Sequence, residues 1–514
     1  MRIGLVSTHT HPFALGLRSV SATLKAAGHD VIMLFMSSRR DTARPDYSPA
    51  ALADFVEHLR RCDLIGMSLL TNTFHRAVAL LETVRAARLA APVVWGGTHP
   101  TVAPEECLPL ADAICIGEGE QPMRELAERL AAGRDPTGVP NLWYRGGGAL
   151  SPTREVRNAL GPLRTNLDEL PLPDYDLETH WVAQPDGLAR ATSRNLRGAL
   201  DVARVITARG CPYHCTFCNN TALREIHRGQ GPWVRLRSVD HVLAELRQLK
   251  VRFPTIHAVN FVDDLFLVRS EEELARFAER YTREIGWPLE LDVFPNTVTE
   301  RKLAALRRVP LRLVSMGIES ASADTLENIY RRPTPPARIA AAIETLARHR
   351  VPVEYHYIVS NPYEPEANVI ETMRFIADHH RGPARLRVFP LMFYPGTPLH
   401  ARAVADGRIA GRDHAAYDYM GHGALELARH DYLAVWLRVV LNLRNVGVPR
   451  AVCHRVIDFA TARPVRALLD RRWFCPTVFF GYQVARKFWR NFVYQPFVRP
   501  LKYLRRPRAT AAAG

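Results

Sequence analysis

The stretch Arg209-Gly210-Cys211-Pro212-Tyr213-His214-Cys215-Thr216-Phe217-Cys218-Asn219 decides how the rest of the chain reads. Its three cysteines stand at Cys-x3-Cys-x2-Cys spacing directly after the apolar run 202–208, which has the length and residue types of a buried strand. Three thiolates this close together suit three irons of a 4Fe-4S cluster and leave the fourth iron without a protein ligand. Two plainer readings compete with it: a structural zinc site, or three ordinary buried thiols. Structural zinc wants four ligands in a closed tetrahedron. The other cysteines, Cys62, Cys107, Cys115, Cys453 and Cys475, lie far off in sequence with no CxxC pairing. His214 is available as a fourth ligand only by straining the loop that contains it.

Upstream, residues 1–132 alternate short apolar runs with helical patterns. The runs fall at 3–7, 31–35, 64–69, 93–95 and 113–116. Phe13, Leu17, Val20, Leu24 and Ala27 recur at three/four spacing before Gly28, and Phe74, Ala77, Val78, Leu81 and Val84 repeat that spacing. Such alternation predicts a parallel sheet with helices on both faces, with ligands gathering at the carboxyl ends of the strands. Three loops follow those ends: Ser68-Leu69-Leu70, Gly96-Gly97-Thr98-His99-Pro100 and Gly117-Glu118-Gly119-Glu120. Paired glycines let a bulky ligand approach the backbone closely.

Residues 133–200, rich in Gly, Pro and Asp, read as an irregular linker. From 201 to 400 the alternation resumes, with runs at 258–261, 289–294, 313–316, 353–359 and 385–389. Polar clusters follow them, among them Val262-Asp263-Asp264, Gly317-Ile318-Glu319-Ser320 and Ser360-Asn361. Residues 401–514 carry one helix face, Tyr432, Val435, Trp436, Val439, Val440 and Leu443, suited to a cap that excludes water from the preceding domain.

The cysteine loop resembles the signature of radical S-adenosylmethionine (SAM) enzymes. Residues 1–132 resemble the cobalamin-binding domain, whose pattern is a Ser-x-Leu followed after a spacer by Gly-Gly; here residues 71–95 separate Leu70 from Gly96. The resemblance implies an α/β fold in three parts. A doubly wound, Rossmann-like cobalamin-binding sheet comes first, then a partial (βα)6 barrel of the TIM type, then a mostly helical C-terminal region. It also implies three cofactors. A 4Fe-4S cluster would sit on Cys211, Cys215 and Cys218; SAM beside Phe217, Asp263, Glu319 and Ser320; and cobalamin beside Ser68, Leu70, Gly96, Gly97, Thr98, His99, Gly117, Glu118 and Gly119. For Asp263 a cap on the following helix is the competing role.

Many cobalamin domains carry Asp-x-His-x-x-Gly, whose His replaces the tail base as the lower ligand of cobalt. This chain has Thr8-His9-Thr10-His11-Pro12 in the equivalent loop, so cobalamin is expected without a histidine ligand. The implied activity is methylation of an unactivated carbon in a small-molecule or lipid substrate, by way of methylcobalamin and a 5'-deoxyadenosyl radical. A flavodoxin- or ferredoxin-type reductant would supply single electrons. Non-methylating cyclisation, ring rearrangement or oxidation with the same cofactors is the alternative.

Composition narrows the classes further. The 514 residues, 47% hydrophobic and 23% charged, suit a folded soluble protein of several domains. No signal peptide is recognised at the start, and no run approaches the ~20 apolar residues of a membrane span. Eight cysteines in so long a chain do not make a disulfide framework, and iron-ligating thiolates must stay reduced, so a cytoplasmic location is expected. The net charge is +16, but after Asp470 there is no acidic residue against ten lysines and arginines. The basicity is therefore mostly a property of the tail, and no nucleic-acid partner is expected. Cys62, Cys107 and Cys115 do not form the second triad that an RNA-methylthiolating enzyme needs. The tail interleaves its arginines with aromatics, a composition suited to the inner face of a membrane or to an acidic substrate, a plain solvated tail being the alternative.

Overall fold

The computed structural model describes residues 1–9, 12–37, 47–151, 153–192, 196, 201–412, 414–418, 431–470 and 477. Strands β1 (Arg2–Ser7), β2 (Asp30–Phe35), β3 (Leu64–Ser68), β4 (Val93–Gly96) and β5 (Ala113–Cys115) form where the apolar runs predict them. Their side chains are mostly buried on both faces, as a parallel sheet covered by helices on two sides requires. The helix Leu15–Ala26 lays Leu17, Val20 and Leu24 against Ile3, Leu5 and Met33. The helix Phe74–Ala86 lays Ala77, Leu81 and Val84 against Val6, Ile32 and Ile65 on the opposite face.

Residues 133–200 differ from the expected irregular linker. They supply β6 (Leu142–Tyr144), β7 (Val156–Arg157), β8 (His180–Gln184) and β9 (Gly187–Arg190). These extend both edges of the sheet to nine strands in the order β7-β6-β5-β4-β3-β1-β2-β8-β9. Each is too short to show a period among the surrounding glycines and prolines, and what forms them is the row of unpaired backbone groups along each sheet edge.

The run 202–208 divides in two. β10 (Val202–Val205) begins a second sheet, while β11 (Ala208–Arg209) pairs antiparallel with β12 (Arg235–Leu236) in a separate ribbon. β10 is followed in that sheet by β13 (Ala258–Phe261), β14 (Leu289–Val293), β15 (Leu311–Glu319), β16 (Val353–Val359) and β17 (Arg385–Pro390). All are parallel and in sequence order, the open partial barrel that the resemblance implied.

The helix Tyr432–Asn445 lies against one side of the barrel. It packs along the helix Glu366–His379, with Ala434, Leu437, Val440 and Leu441 in the barrel's own core, and Asn445 accepts the backbone N–H of Ala384 at 2.6 Å. Its first turns also reach the ends of β15 and β16, where Ala434 and Leu437 line a small cavity with Glu319 and Ser320. Before it, the chain returns to the first domain, where Arg412 Nε and the Tyr417 hydroxyl donate to Glu106 at 2.9 and 2.8 Å. The basic aromatic tail lies outside the described residues. Among the described residues, no helix is long and apolar enough to cross a membrane.

Candidate active site

Residues 210–218 form an irregular loop between β11 and the helix Asn219–Ile226. Gly210 has φ +86°, and a side chain there would run into the Trp233 carbonyl, so glycine is what lets the ribbon turn into the loop. The backbone is pinned from several directions. The Trp233 indole donates to Cys211 O at 3.1 Å, the Thr216 hydroxyl to Ile329 O at 2.6 Å, and the Thr221 hydroxyl to Cys215 O at 2.8 Å. Tyr213 stacks on Phe294 with ring centroids 3.7 Å apart.

With the backbone so held, the side chains of Cys211, Cys215 and Cys218 share one apolar cluster with Leu265, Phe294 and Phe217. Burial pushes the thiols up, Cys211 to about 12 and Cys218 to about 11, so metal binding has to displace protons. Two donors work the other way: Arg332 Nη1 lies 3.7 Å from Cys215 Sγ and Asn220 Nδ2 3.8 Å from Cys218 Sγ. His214 is engaged by Arg224 at 2.7 Å. Among the described residues, no three His, Cys, Asp or Glu side chains converge on a single metal ion.

A cavity of about 520 Å³ opens between the two domains. Its floor is apolar, with Leu5, Leu17, Val20, Val94 and Met123. Its rim is made by Ser68, Gly96, Gly97, Thr98, Gly117 and Gly119, and its far wall by Asn219, Asn220 and Asp264, immediately beyond Cys218. Gly97 has φ +102°, and a Cβ there would stand 2.6 Å from the Leu69 carbonyl, so the loop lies against the end of β3 only because the side chain is absent.

Leu70 and His99, expected beside this space, do not line it. A helix of residues Thr98–Val102 starts at the Gly97 turn, and its ~100° rotation per residue sends consecutive side chains different ways. Thr98 faces the cavity, while His99 enters the core of the first domain, fully buried, edge-on to Phe74 and Tyr417. Its Nδ1 lies 3.2 Å from the Thr71 hydroxyl, and burial holds the ring down at about 4, so it stays neutral. Leu70 is half-buried beside Thr73, to whose hydroxyl its N–H donates at 2.9 Å. His9 Nε2 sits 3.4 Å from Ser68 Oγ; His11 lies outside the described residues. Glu118 touches the cavity, but its carboxylate is taken up by Arg235 and Arg209.

The acidic pair after β13 separates. Asp263 is 2% exposed and accepts the N–H and hydroxyl of Thr207 and the N–H of Ala208 at 3.0 Å, tying the β10–β11 connection to the end of β13. Burial pushes it up to about 6 against those bonds. It is neither a helix cap nor a cofactor-facing group. Asp264 is the one that lines the cavity, accepting from Asn220 at 2.7 Å.

Glu319 and Phe217 line a second cavity, of about 270 Å³, with His356, Ile358, Phe389 and Tyr394. Burial raises the Glu319 carboxyl, and Arg332 and His356 oppose the shift. Ser320 turns away, its hydroxyl donating to Glu364 at 3.0 Å beside Thr372, with 1% exposure. Arg332 carried no sequence signal. It reaches the loop because residues 325–330 fold back under it, which puts its guanidinium 4.0 Å from the Phe294 ring centroid and bonds it to the Gly317 carbonyl.

Residues 1–127 match the B12 binding domain family, and residues 205–376 match the radical SAM superfamily. The chain belongs to the cobalamin-dependent radical SAM enzymes. The cofactors of this radical SAM enzyme are a 4Fe-4S cluster, SAM and cobalamin. An uncharacterized methyltransferase of Pyrococcus horikoshii is 27% identical over 75% of this chain and 81% of its own length. An anaerobic magnesium-protoporphyrin IX monomethyl ester cyclase of Rubrivivax gelatinosus is 26% identical over 69% of this chain, which spans 60% of that protein. The solved structure of the radical SAM methyltransferase TsrM from Kitasatospora setae, with tryptophan and a SAM analogue, shares the fold with a TM-score of 0.64. It is 16% identical and covers 79% of this chain and 76% of that one.

The residues present fit the groups. Three thiols with two nearby donors suit a cluster, and an apolar floor under a glycine rim suits a bulky ligand with a flat base. His227 Nε2, buried in the cavity wall, has no hydrogen-bond partner among the described residues.

Proposed function

We propose that this enzyme transfers a methyl group to an unactivated carbon of a small organic substrate. The observation that carries the reading is the continuity of the larger cavity, which runs from the apolar floor under the Gly96-Gly97 turn to Asn219, Asn220 and Asp264 next to the cysteine loop. The methyltransferase relatives support it. In this reading Cys211, Cys215 and Cys218 hold the cluster, and Ser68, Gly96, Gly97, Thr98, Gly117 and Gly119 hold the corrinoid. Phe217 and Glu319 flank SAM in the smaller cavity. When bound, these groups supply a carbon-centred radical from SAM and a carried methyl group.

The chain's own residues do the positioning. Thr216, Thr221 and Trp233 fix the loop backbone that carries the sulfurs. Arg332 and Asn220 place positive and donor character at two of the sulfurs, which favours the thiolate form. Asp264, held by Asn220, is the polar group facing both the loop and the cavity. An external one-electron donor completes the scheme.

Anaerobically reconstituted, reduced enzyme given SAM with a deuterated methyl group and a pool of metabolites tests the reading. S-adenosylhomocysteine and 5'-deoxyadenosine should form together, with one metabolite gaining the labelled methyl. Deoxyadenosine without S-adenosylhomocysteine overturns methylation. It leaves the radical cyclisation to which the similarity with the monomethyl ester cyclase points.

A further inference from the structure

The loop 117–120 of the first domain and the ribbon β11–β12 of the second meet in a cluster of four charges. Arg209 and Arg235 are directly opposite each other in that antiparallel ribbon, a placement that sets two cations side by side and destabilises a ribbon on its own. Their ion partners among the described residues come entirely from the other domain. Glu118 accepts from Arg235 Nη2 at 2.7 Å and Nη1 at 3.1 Å and lies 3.2 Å from Arg209 Nη1, while Arg209 Nη2 donates to Glu120 at 2.6 Å. The Arg235 side chain is 2% exposed and that of Glu120 7%. Arg235 Nη1 also donates to the Arg164 carbonyl at 3.0 Å. His227, at the end of the helix that follows the cysteine loop, packs its Nε2 edge directly on Gly117.

Geometry gives this cluster a consequence. Arg209 lies two residues before Cys211, and the 117–120 loop is part of the rim that the proposed function assigns to the corrinoid. Forked guanidinium–carboxylate pairs fix both distance and angle, which apolar contact between the domains does not. Burial alone would raise the Glu118 carboxyl, but Arg209 and Arg235 more than offset it and keep the group ionised.

We propose that Glu118, gripped by Arg235 and Arg209, is the positioning residue that sets the reach from the cysteine loop to the corrinoid cavity. Loosening it uncouples cleavage of SAM from delivery of the methyl group. The proposal rests on the methylation reading, and its test has an arm that does not.

Glu118→Gln keeps the shape and removes the charge, and Arg235→Lys keeps the charge and removes the fork. In reconstituted enzyme both should retain iron, and 5'-deoxyadenosine should form in excess over methylated product. Methyl delivery should fall by roughly ten- to hundredfold, the cost of a small misplacement of reacting groups. Hydrogen exchange of the full chain without cofactors should quicken at residues 115–120 and 206–211 in both variants. Unchanged exchange and an unchanged product ratio in the two variants overturn the proposal. Should Glu118→Gln fail to fold, Arg235→Lys decides by the same two readouts. If the wild-type enzyme makes no S-adenosylhomocysteine, the methylation reading fails while the exchange arm still decides the latch.

Discussion

The nine-stranded and six-stranded sheets both open at the carboxyl ends of their strands, yet they equip those ends differently. The first offers backbone: Gly96, Gly97, Gly117 and Gly119 form a rim whose value lies in the side chains that are missing. The second offers side chains: three sulfurs, with Arg332 and Asn220 reaching two of them. A bulky ligand is held by many weak, shape-dependent contacts, whereas an iron cluster is held by a few strong bonds. Damage should therefore be graded at the first site and all-or-none at the second.

Cys215→Ala is the sharpest way to break that contrast. It should abolish bound iron and 5'-deoxyadenosine formation completely while cobalamin still binds, read as iron content and the brown visible absorption of reconstituted protein. Retained iron would place the cluster elsewhere.

Acid offers a control in which the two halves should behave alike, because each buries a neutral histidine. Burial holds His99 in the first domain and His380 in the second at about 4, below the ordinary 6.5. Their stabilising contribution is therefore present above pH 6.5 and is lost as pH falls toward 4, by up to about 3 kcal/mol for each. Chemical denaturation across that window should show both domains losing stability; a flat profile would mean the rings protonate as readily in the folded protein as in the unfolded chain.

Gly97→Val forces a β-branched residue to φ +102° against the Leu69 carbonyl. Strain of ~1–3 kcal/mol should weaken cobalamin binding by roughly five- to hundredfold in a spectroscopic titration, with iron content unaffected. Arg332→Gln removes a charged donor from Cys215 and should lower the cluster's reduction potential without altering cobalamin affinity. Potentiometric titration checks the direction; an unchanged potential would make Arg332 a purely structural residue.

Legibility followed the same division. The cysteine spacing is local, so the loop was readable at the level of single residues. The glycine loops were readable as loops but not residue by residue. Thr98 and His99 are neighbours in sequence, and the helical rotation from one residue to the next sends one to the cavity and the other to the core. Asp264, and not the Asp263 expected beside a cofactor, lines the cavity for a similar reason, since which of two consecutive residues faces it depends on where β13 ends. Strands β6 to β9 were hidden because pairing at a sheet edge, rather than any period of their own, makes them strands.

The order of residue types along the chain pointed by itself to alternating strands and helices in both domains and to three cysteines within eight residues, because hydrophobic period and short spacing are local properties. Only the tertiary structure decided that Ser68 and the Gly96-Gly97 turn share a cavity with Asn219, Asn220 and Asp264 beside the cysteine loop, that Arg332 reaches Cys215, and that Glu118 is gripped from the other domain. Those facts join residues more than a hundred positions apart, and no local pattern carries the register in which two separately folded sheets meet.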